Sequence, residues 1–326
     1  MIILSHDDVA DLLPMHEAIE VVEAVMQQVS RGEASLPLRS VTPVGGANRM
    51  GLMPGAIADP ACFGVKMISL FPGNPARGLS SHRGAMVLFE AETGGAVAMM
   101  DASLLTAIRT AAASAVATRA LARPDAAHLA IVGTGEQAEH HLDAMICIRK
   151  ITRLSVAGRS NDKTAAFAAR AADLYPDLEI SHGVDIEAAI ADADIVCTVT
   201  ASPTPIVKGE WIAAGAHLNI VGSSIPTMRE VDDEMVRRGA IWVDYLPSTL
   251  SQAGEIVDMI KAGAFSADQL QGEIGAQLSG EIPGRSSPDQ ITVYRSLGIA
   301  AQDLAAAHHV LTRAQAANRG QHVSMN

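Results

Sequence analysis

The chain has 326 residues, 48% hydrophobic and 18% charged. That describes a well-packed globular protein, too long for one core and expected to form two domains. A formal net charge of −12 argues against nucleic acid as a partner, although local positive charge can still hold an anionic small molecule.

The three cysteines, Cys62, Cys147 and Cys197, are scattered. No pair has metal-ligand spacing, so neither a disulfide framework nor a metal site is expected, and a reducing cytoplasm fits. Met1-Ile-Ile-Leu-Ser-His-Asp-Asp8 lacks the basic region of a signal peptide, and no apolar run is long enough to span a bilayer.

Ser5 with Asp8 has the spacing of a capping box, which starts a first helix through Val9, Leu12 and Leu13. A second helix is expected over residues 16–31, ending near Gly32. Leu36-Pro-Leu-Arg39 opens an extended region. Residues 50–56, 64–71 and 85–90 read as strands, and Thr93-Gly94-Gly95 turns the last of them back into residues 96–101. An Ala-rich helix follows over residues 104–122. Strands in hairpin order beside helices predict an α+β domain with a largely antiparallel sheet.

Arg123-Pro124-Asp125 breaks the pattern and marks the expected boundary. Beyond it strands are expected at 129–132, 154–157, 178–181, 195–200, 218–221 and 241–244, with helical patterns such as 137–148, 163–175 and 231–238 between them. This alternation predicts a doubly wound parallel sheet, an α/β architecture of Rossmann type. After Glu255 the chain reads as mostly helical, with a loop at Pro283–Pro288 and a last helix over 298–314. The polar tail 315–326 is expected to be loosely held. The domain reading is thus 1–122, 123–300, and a C-terminal helix and tail from 301 that returns to the first domain.

Within the second domain, Leu129-Ala-Ile-Val132 runs into Gly133-Thr134-Gly135-Glu-Gln137-Ala138. Gly133 permits a tight turn, Gly135 lets a pyrophosphate approach the backbone, and Ala138 lets helix and strand pack closely. The N–H groups of the following helix start face the phosphates. At the end of the next strand stand Arg159, Ser160 and Lys163. An arginine there favours the 2′-phosphate of NADP(H) over the 2′-hydroxyl of NAD(H), and nearby Asp162 keeps NAD(H) possible.

Two charges stand in apolar surroundings. Lys66 lies inside the strand Ala61–Phe71, facing either solvent or a cleft. Arg109 is the single charge between Leu104 and Thr118. A buried guanidinium requires an anion, and no acidic residue lies within a helical turn, so a ligand carboxylate is the candidate partner. His82 in the loop Leu79–Gly84 is a candidate proton donor.

With these residues in view, the chain resembles the ornithine cyclodeaminase/μ-crystallin family over nearly its whole length. The specific matches are Met100-Asp101 through Arg109-Thr-Ala-Ala-Ala-Ser114, the Gly133-Thr-Gly135 turn, His217-Leu-Asn219-Ile-Val-Gly222-Ser, Gly284-Arg285, and Ile291-Thr292 through Ser296-Leu297-Gly298. The resemblance implies a homodimer with a substrate-binding and dimerising first domain and a nicotinamide-binding second one. It places Arg39, Lys66 and Arg109 around a substrate α-carboxylate. The full dinucleotide set expected is Thr110, Gly133, Thr134, Gly135, Gln137, Ala138, Arg159, Ser160, Lys163, Thr200, Ala201, Val221, Gly222, Ser223, Leu297 and Gly298.

One position departs from the family's deaminating pattern. Where cyclodeaminases carry a catalytic aspartate, this chain has Ser224, which serves neither as a carboxylate base nor as an ion partner for a distal ammonium. The expected function is therefore NAD(P)H-dependent reduction of a small α-imino acid, such as Δ1-pyrroline-2-carboxylate or Δ1-piperideine-2-carboxylate, or of a keto acid plus amine. Arg39, Lys66, Arg109 and Ser224 would meet substrate, with Lys66, Arg109 and His82 catalytic. The alternatives are a cyclodeaminase-type lyase forming L-proline and ammonia from L-ornithine, and an NADPH-binding protein without turnover.

Overall fold

The computed structural model describes residues 1–324. They form two compact units: Met1–Arg109 together with the C-terminal segment from Ile299, and Thr110–Gly298. The division falls inside the Ala102–Leu121 helix rather than at Arg123-Pro124-Asp125. Residues beyond Thr110 are bonded into the second unit. Ser114 Oγ lies 3.0 Å from His141 Nε2, and Asn219 Nδ2 donates to Thr118 Oγ1 at 2.8 Å.

In the first unit the Ser5–Asp8 capping box forms and starts the His6–Leu12 helix. The sheet runs in the order Gln321–His322, Ile2–Leu4, Ala96–Asp101, His82–Glu90, Ala61–Leu70, Asn48–Ala58 and Ala34–Ser35, with Ser40–Gly45 also paired to Asn48–Ala58. All pairings are antiparallel except Ile2–Leu4 with Ala96–Asp101.

Alternation decides which face of this sheet each side chain joins. Along Ala61–Leu70, Cys62, Gly64, Lys66 and Ile68 are buried. The Ala300–Ala316 helix covers that face. A Cβ at Gly64 would come within 2.3 Å of Val87 O and 3.1 Å of the Leu304 side chain, so the close approach of helix to sheet requires glycine. Phe63, Val65 and Met67 alternate onto the opposite, more open face.

The tail differs from expectation. The last helix continues to Ala316, and Gln321–His322 pairs with Ile2–Leu4. The Met1 ammonium donates to Val323 O at 3.1 Å, and Arg319 is bonded to Asp8 and Asp11 at 3.0 Å. A short polar strand earns its place through backbone pairing and ion pairs, which a hydropathy pattern does not register. Met325 and Asn326, also read as tail, lie outside the described residues.

The second unit is a parallel sheet in the order Glu179–Gly183, Arg153–Ala157, His128–Val132, Ile195–Thr198, His217–Ile220, Thr292–Arg295, Ala240–Val243 and Gly272–Glu273. Every pairing within it is parallel. This is the doubly wound Rossmann-type fold, reversing direction at His128–Val132. Thr292–Arg295 corrects the reading of the region after Glu255 as mostly helical. The strand is short and wholly buried, inserted between His217–Ile220 and Ala240–Val243. A strand buried on both faces shows no alternation. Among the described residues no helix is long and apolar enough to cross a membrane.

Candidate functional site

In the first unit the two lone cations meet. Lys66 is 2% exposed and faces the final helix, not solvent. Its Nζ lies 2.9 Å from both carboxylate oxygens of Asp303. Arg109 Nε donates to Asp303 Oδ1 at 2.8 Å, and its Nη1 donates to Gln302 Oε1 at 2.8 Å. Gln302 is held in turn against Met26 Sδ at 3.4 Å. Asp303 has no solvent exposure.

Besides the ligand carboxylate that its sequence surroundings suggest, Arg109 has an anion within the protein. The chain supplies Asp303 from the first turn of a helix far along the sequence. One carboxylate nevertheless faces two buried cations, which leaves a net positive charge. The bonds to Asp303 and Gln302 use Nε and Nη1 of Arg109. A buried charge is stable only when paired, so an excess of positive charge here suits an anion.

Burial, followed by the Arg109 charge, lowers the Lys66 pKa to about 7; Asp303 opposes both, and Arg39 adds to the lowering. Arg39 is half-buried in the segment before Ser40–Gly45 and acts on Lys66 electrostatically. His82 heads the neighbouring strand. Its ring keeps solvent access while protein crowds it, and desolvation followed by the Lys66 charge lowers its pKa. Its Nδ1 lies 3.0 Å from Ser81 Oγ. Four residues from separate stretches of sequence, Arg39, Lys66, His82 and Arg109, thus share one electrostatic neighbourhood.

In the second unit the glycine turn follows the central His128–Val132 strand. Gly133 has φ of +127°, and a Cβ there would lie 2.9 Å from Val199 O. Gly135 is the N-cap of the Glu136–Ile148 helix and makes no side-chain cap bond. Open space surrounds the position where its Cβ would stand. The helix start therefore presents backbone N–H groups to an unobstructed approach, which fits a diphosphate. The buried Oε1 of Gln137 has no partner among the described residues. Ala138 is fully buried, as close helix–strand packing requires.

Arg159 is exposed two residues past the Arg153–Ala157 strand. Ser160 caps the Asn161–Leu174 helix, its hydroxyl accepting from Lys163 N at 3.4 Å. Thr200, Ala201, Val221, Gly222, Ser223 and Ser224 follow the carboxyl ends of Ile195–Thr198 and His217–Ile220. Leu297 and Gly298 follow Thr292–Arg295 in the same way. In open α/β sheets this carboxyl edge is where ligands sit. Thr110 is buried on the long helix, and Ser224 is half-buried.

Buried carboxylates hold this edge in shape. Glu230 accepts from Thr200 N at 2.7 Å, Thr200 Oγ1 at 2.8 Å, Gly222 N at 2.7 Å and Ser223 N at 3.3 Å. Burial pushes its pKa up, and the bonds from Thr200 oppose that. Asp244 accepts from Leu297 N at 2.7 Å and Gly298 N at 2.6 Å. Arg295 pairs with Glu255 and donates to Ser223 O at 2.7 Å. Sequence reasoning missed Gln302, Asp303, Glu230, Asp244, Glu255 and Arg295 as parts of the framework. Two motif residues are structural: Arg285 donates to Leu121 O at 2.7 Å, and His217 Nδ1 lies 2.9 Å from Thr292 Oγ1.

A parallel sheet with a glycine turn and an open helix start places the second unit among dinucleotide-binding folds. The particular family follows from comparison with known proteins. The ornithine cyclodeaminase/mu-crystallin family model matches residues 1–318, and the chain belongs to that family. It is 31% identical over 316 residues to a Δ1-pyrroline-2-carboxylate reductase of Bacillus cereus, covering 96% of this chain and 97% of the relative. The Δ1-pyrroline-2-carboxylate reductase of Thermococcus litoralis, solved with NADH and L-proline, superposes with a TM-score of 0.95. That match is 32% identical and covers 99% of this chain and all of the other. An archaeal alanine dehydrogenase dimer with bound NAD gives a TM-score of 0.93 at 29% identity, covering 100% of this chain and 99% of that one.

Proposed function

We propose that this chain is an NAD(P)H-dependent oxidoreductase that reduces a small α-imino carboxylate, of the size of Δ1-pyrroline-2-carboxylate, to the L-amino acid. The observation that carries the reading is the buried Lys66–Arg109–Asp303 cluster, in which a single carboxylate offsets two cations. The Bacillus cereus relative and the Thermococcus litoralis structure act on or hold this chemistry.

Arg109 holds the substrate carboxylate through Nη2, while Asp303 and Gln302 fix the rest of the guanidinium. Arg39 adds positive charge to the same neighbourhood. Lys66 gives a proton to the imine nitrogen, a task suited to an ammonium whose pKa lies near 7. His82, with solvent access, stands behind it. When bound at the glycine turn, the nicotinamide dinucleotide supplies the hydride for the imine carbon. Gly133, Gly135 and the N–H groups opening the Glu136–Ile148 helix hold its diphosphate. Glu230 shapes the Thr200 and Gly222–Ser223 segments beside it. Arg159, exposed just past the Arg153–Ala157 strand, supports a preference for NADP(H).

Ser224 speaks against a cyclodeaminase, since a hydroxyl supplies no carboxylate base. The intact Arg39, Lys66 and Arg109 set speaks against binding without turnover. The chain works as a homodimer. Support comes from the open sheet face, where Phe63 and Phe89 stack with centroids 5.1 Å apart and Met99 is 38% exposed. Absorbance at 340 nm over a panel of cyclic imines, and of α-keto acids with ammonia or methylamine, tests the function with NADH and NADPH. Steady absorbance with ornithine, accompanied by ammonia and proline, would replace it with the lyase.

A further inference from the structure

We propose that Asp303 is a positioning residue that sets the proton load of Lys66, so that its charge decides whether the site is poised for imine reduction or for amino-acid oxidation. The inference rests on the reductase reading and on Lys66 as its proton donor.

The geometry comes first. Asp303 Oδ1 accepts from both Arg109 Nε and Lys66 Nζ, at 2.8 and 2.9 Å. All three side chains are buried. Among the described residues, the charged groups shown acting on Lys66 come from four elements. Arg109 comes from the long helix, Asp303 from the final helix, Arg39 from the segment before Ser40–Gly45, and His82 from the adjacent strand. Its register partners, Met53 and Met86, are apolar. Asp303 is thus the one anion in this set. Burial and the neighbouring cations strip the proton from Lys66, and Asp303 alone retains it.

Reduction transfers a proton from Lys66 Nζ to the imine nitrogen and a hydride from the reduced nicotinamide to the imine carbon, leaving an amine, a neutral lysine and an oxidised nicotinamide. It begins from charged Lys66. Oxidation of the amino acid runs these transfers backwards and begins from neutral Lys66. Reduction therefore fails as pH rises through the Lys66 pKa, and oxidation appears over the same range. Removing the Asp303 charge moves both limbs to lower pH. Loss of an opposite charge at this distance moves a pKa by about 1 to 3 pH units.

The test is Asp303→Asn, whose amide oxygen still accepts from Arg109. Imine reduction and amino-acid oxidation are each followed at 340 nm across pH. Both limbs are expected to move down together, so that near neutral pH reduction falls at least several-fold while oxidation holds or rises. Equal loss of both directions without a shift would overturn the proposal and reduce Asp303 to a structural role. Asp303→Glu, which keeps the charge, is expected to lie closer to the wild type than to Asp303→Asn, and the reverse order would also overturn it.

A second readout needs no substrate. In 13C-lysine-labelled protein, the Lys66 ε-carbon, assigned by Lys66→Arg, is titrated by NMR. Its midpoint is expected to fall in Asp303→Asn; an unchanged or raised midpoint contradicts the proposal. If the wild type reduces no imine, the functional reading fails, while this titration still decides the role of Asp303.

Discussion

Replacing Arg109 with methionine separates its role as a carboxylate holder from its role in the fold. Methionine keeps the apolar stem and removes the guanidinium. Within the protein, Gln302 Oε1 loses a donor at 2.8 Å. A buried acceptor left unmet costs about 1–3 kcal/mol. Asp303 keeps Lys66 at 2.9 Å, so no buried carboxylate is left without a cation. The larger penalty of an orphaned buried charge, about 3–5 kcal/mol, is avoided, and the variant is expected to fold. Towards substrate the balance differs. The Lys66–Asp303 pair that remains is neutral overall, and the ligand carboxylate loses its fork. Truncating one partner of a buried charge pair costs about 2–5 kcal/mol, which corresponds to a roughly 30- to 5,000-fold fall in kcat/KM for the imine.

Loss of the Arg109 charge also removes a group that lowers the Lys66 pKa, so residual reduction should persist to higher pH than in the wild type. The assay is kcat/KM for imine at saturating dinucleotide, alongside dinucleotide affinity by nicotinamide fluorescence and a melting curve. Undiminished kcat/KM in a folded Arg109→Met protein would refute the carboxylate role. Equal loss of dinucleotide affinity would show that the cluster serves the fold rather than the substrate.

Arg159→Ala should weaken NADPH about tenfold or more, the worth of a charge-assisted bond, and leave NADH nearly unchanged; equal effects on fluorescence titration would remove Arg159 from the 2′-phosphate position. Phe63→Glu, on the open sheet face, should convert a dimer to monomers in light scattering, and an unchanged dimer would place the interface elsewhere. His141 and His217 are buried and neutral, with burial as the first cause lowering their pKa values to about 4 and about 3. Unfolded histidine takes its proton near pH 6.5, so the unfolded state binds more protons below that pH and stability falls with it. From about pH 6.5 to 5 each contributes a loss of about 2 kcal/mol. Urea midpoints should drop over that range, and a flat profile would contradict the assignment.

The glycine turn was legible because its pattern is local: Gly133, Gly135 and Ala138 stand together at the junction of one strand and one helix. Lys66 and Arg109 were legible as lone charges in apolar stretches. Their partner was not, because Asp303 stands 194 residues beyond Arg109, on the last helix. There Asp303 is the lone charge in Ala300-Ala-Gln-Asp303-Leu-Ala-Ala-Ala307, the mirror image of the Arg109 pattern. Glu255 and Arg295 form a second pair of opposite charges that the fold buries against each other. Glu230 gave no signal at all, since a glutamate before a helix reads as an ordinary surface residue. Its burial arises only when the ends of two parallel strands converge on it. Thr292–Arg295 escaped for a related reason. Its partners, His217–Ile220 and Ala240–Val243, are remote in sequence, and pairing rather than periodicity makes it a strand.

The measurement that bears most directly on the whole account is a single one. Purified protein is mixed with NADPH and Δ1-pyrroline-2-carboxylate, absorbance at 340 nm is followed, and L-proline is quantified at the end. The account predicts consumption of NADPH matched one for one by L-proline, abolished in Lys66→Met. Bound NADPH that persists unoxidised with this imine and with its six-membered and open-chain counterparts would contradict it.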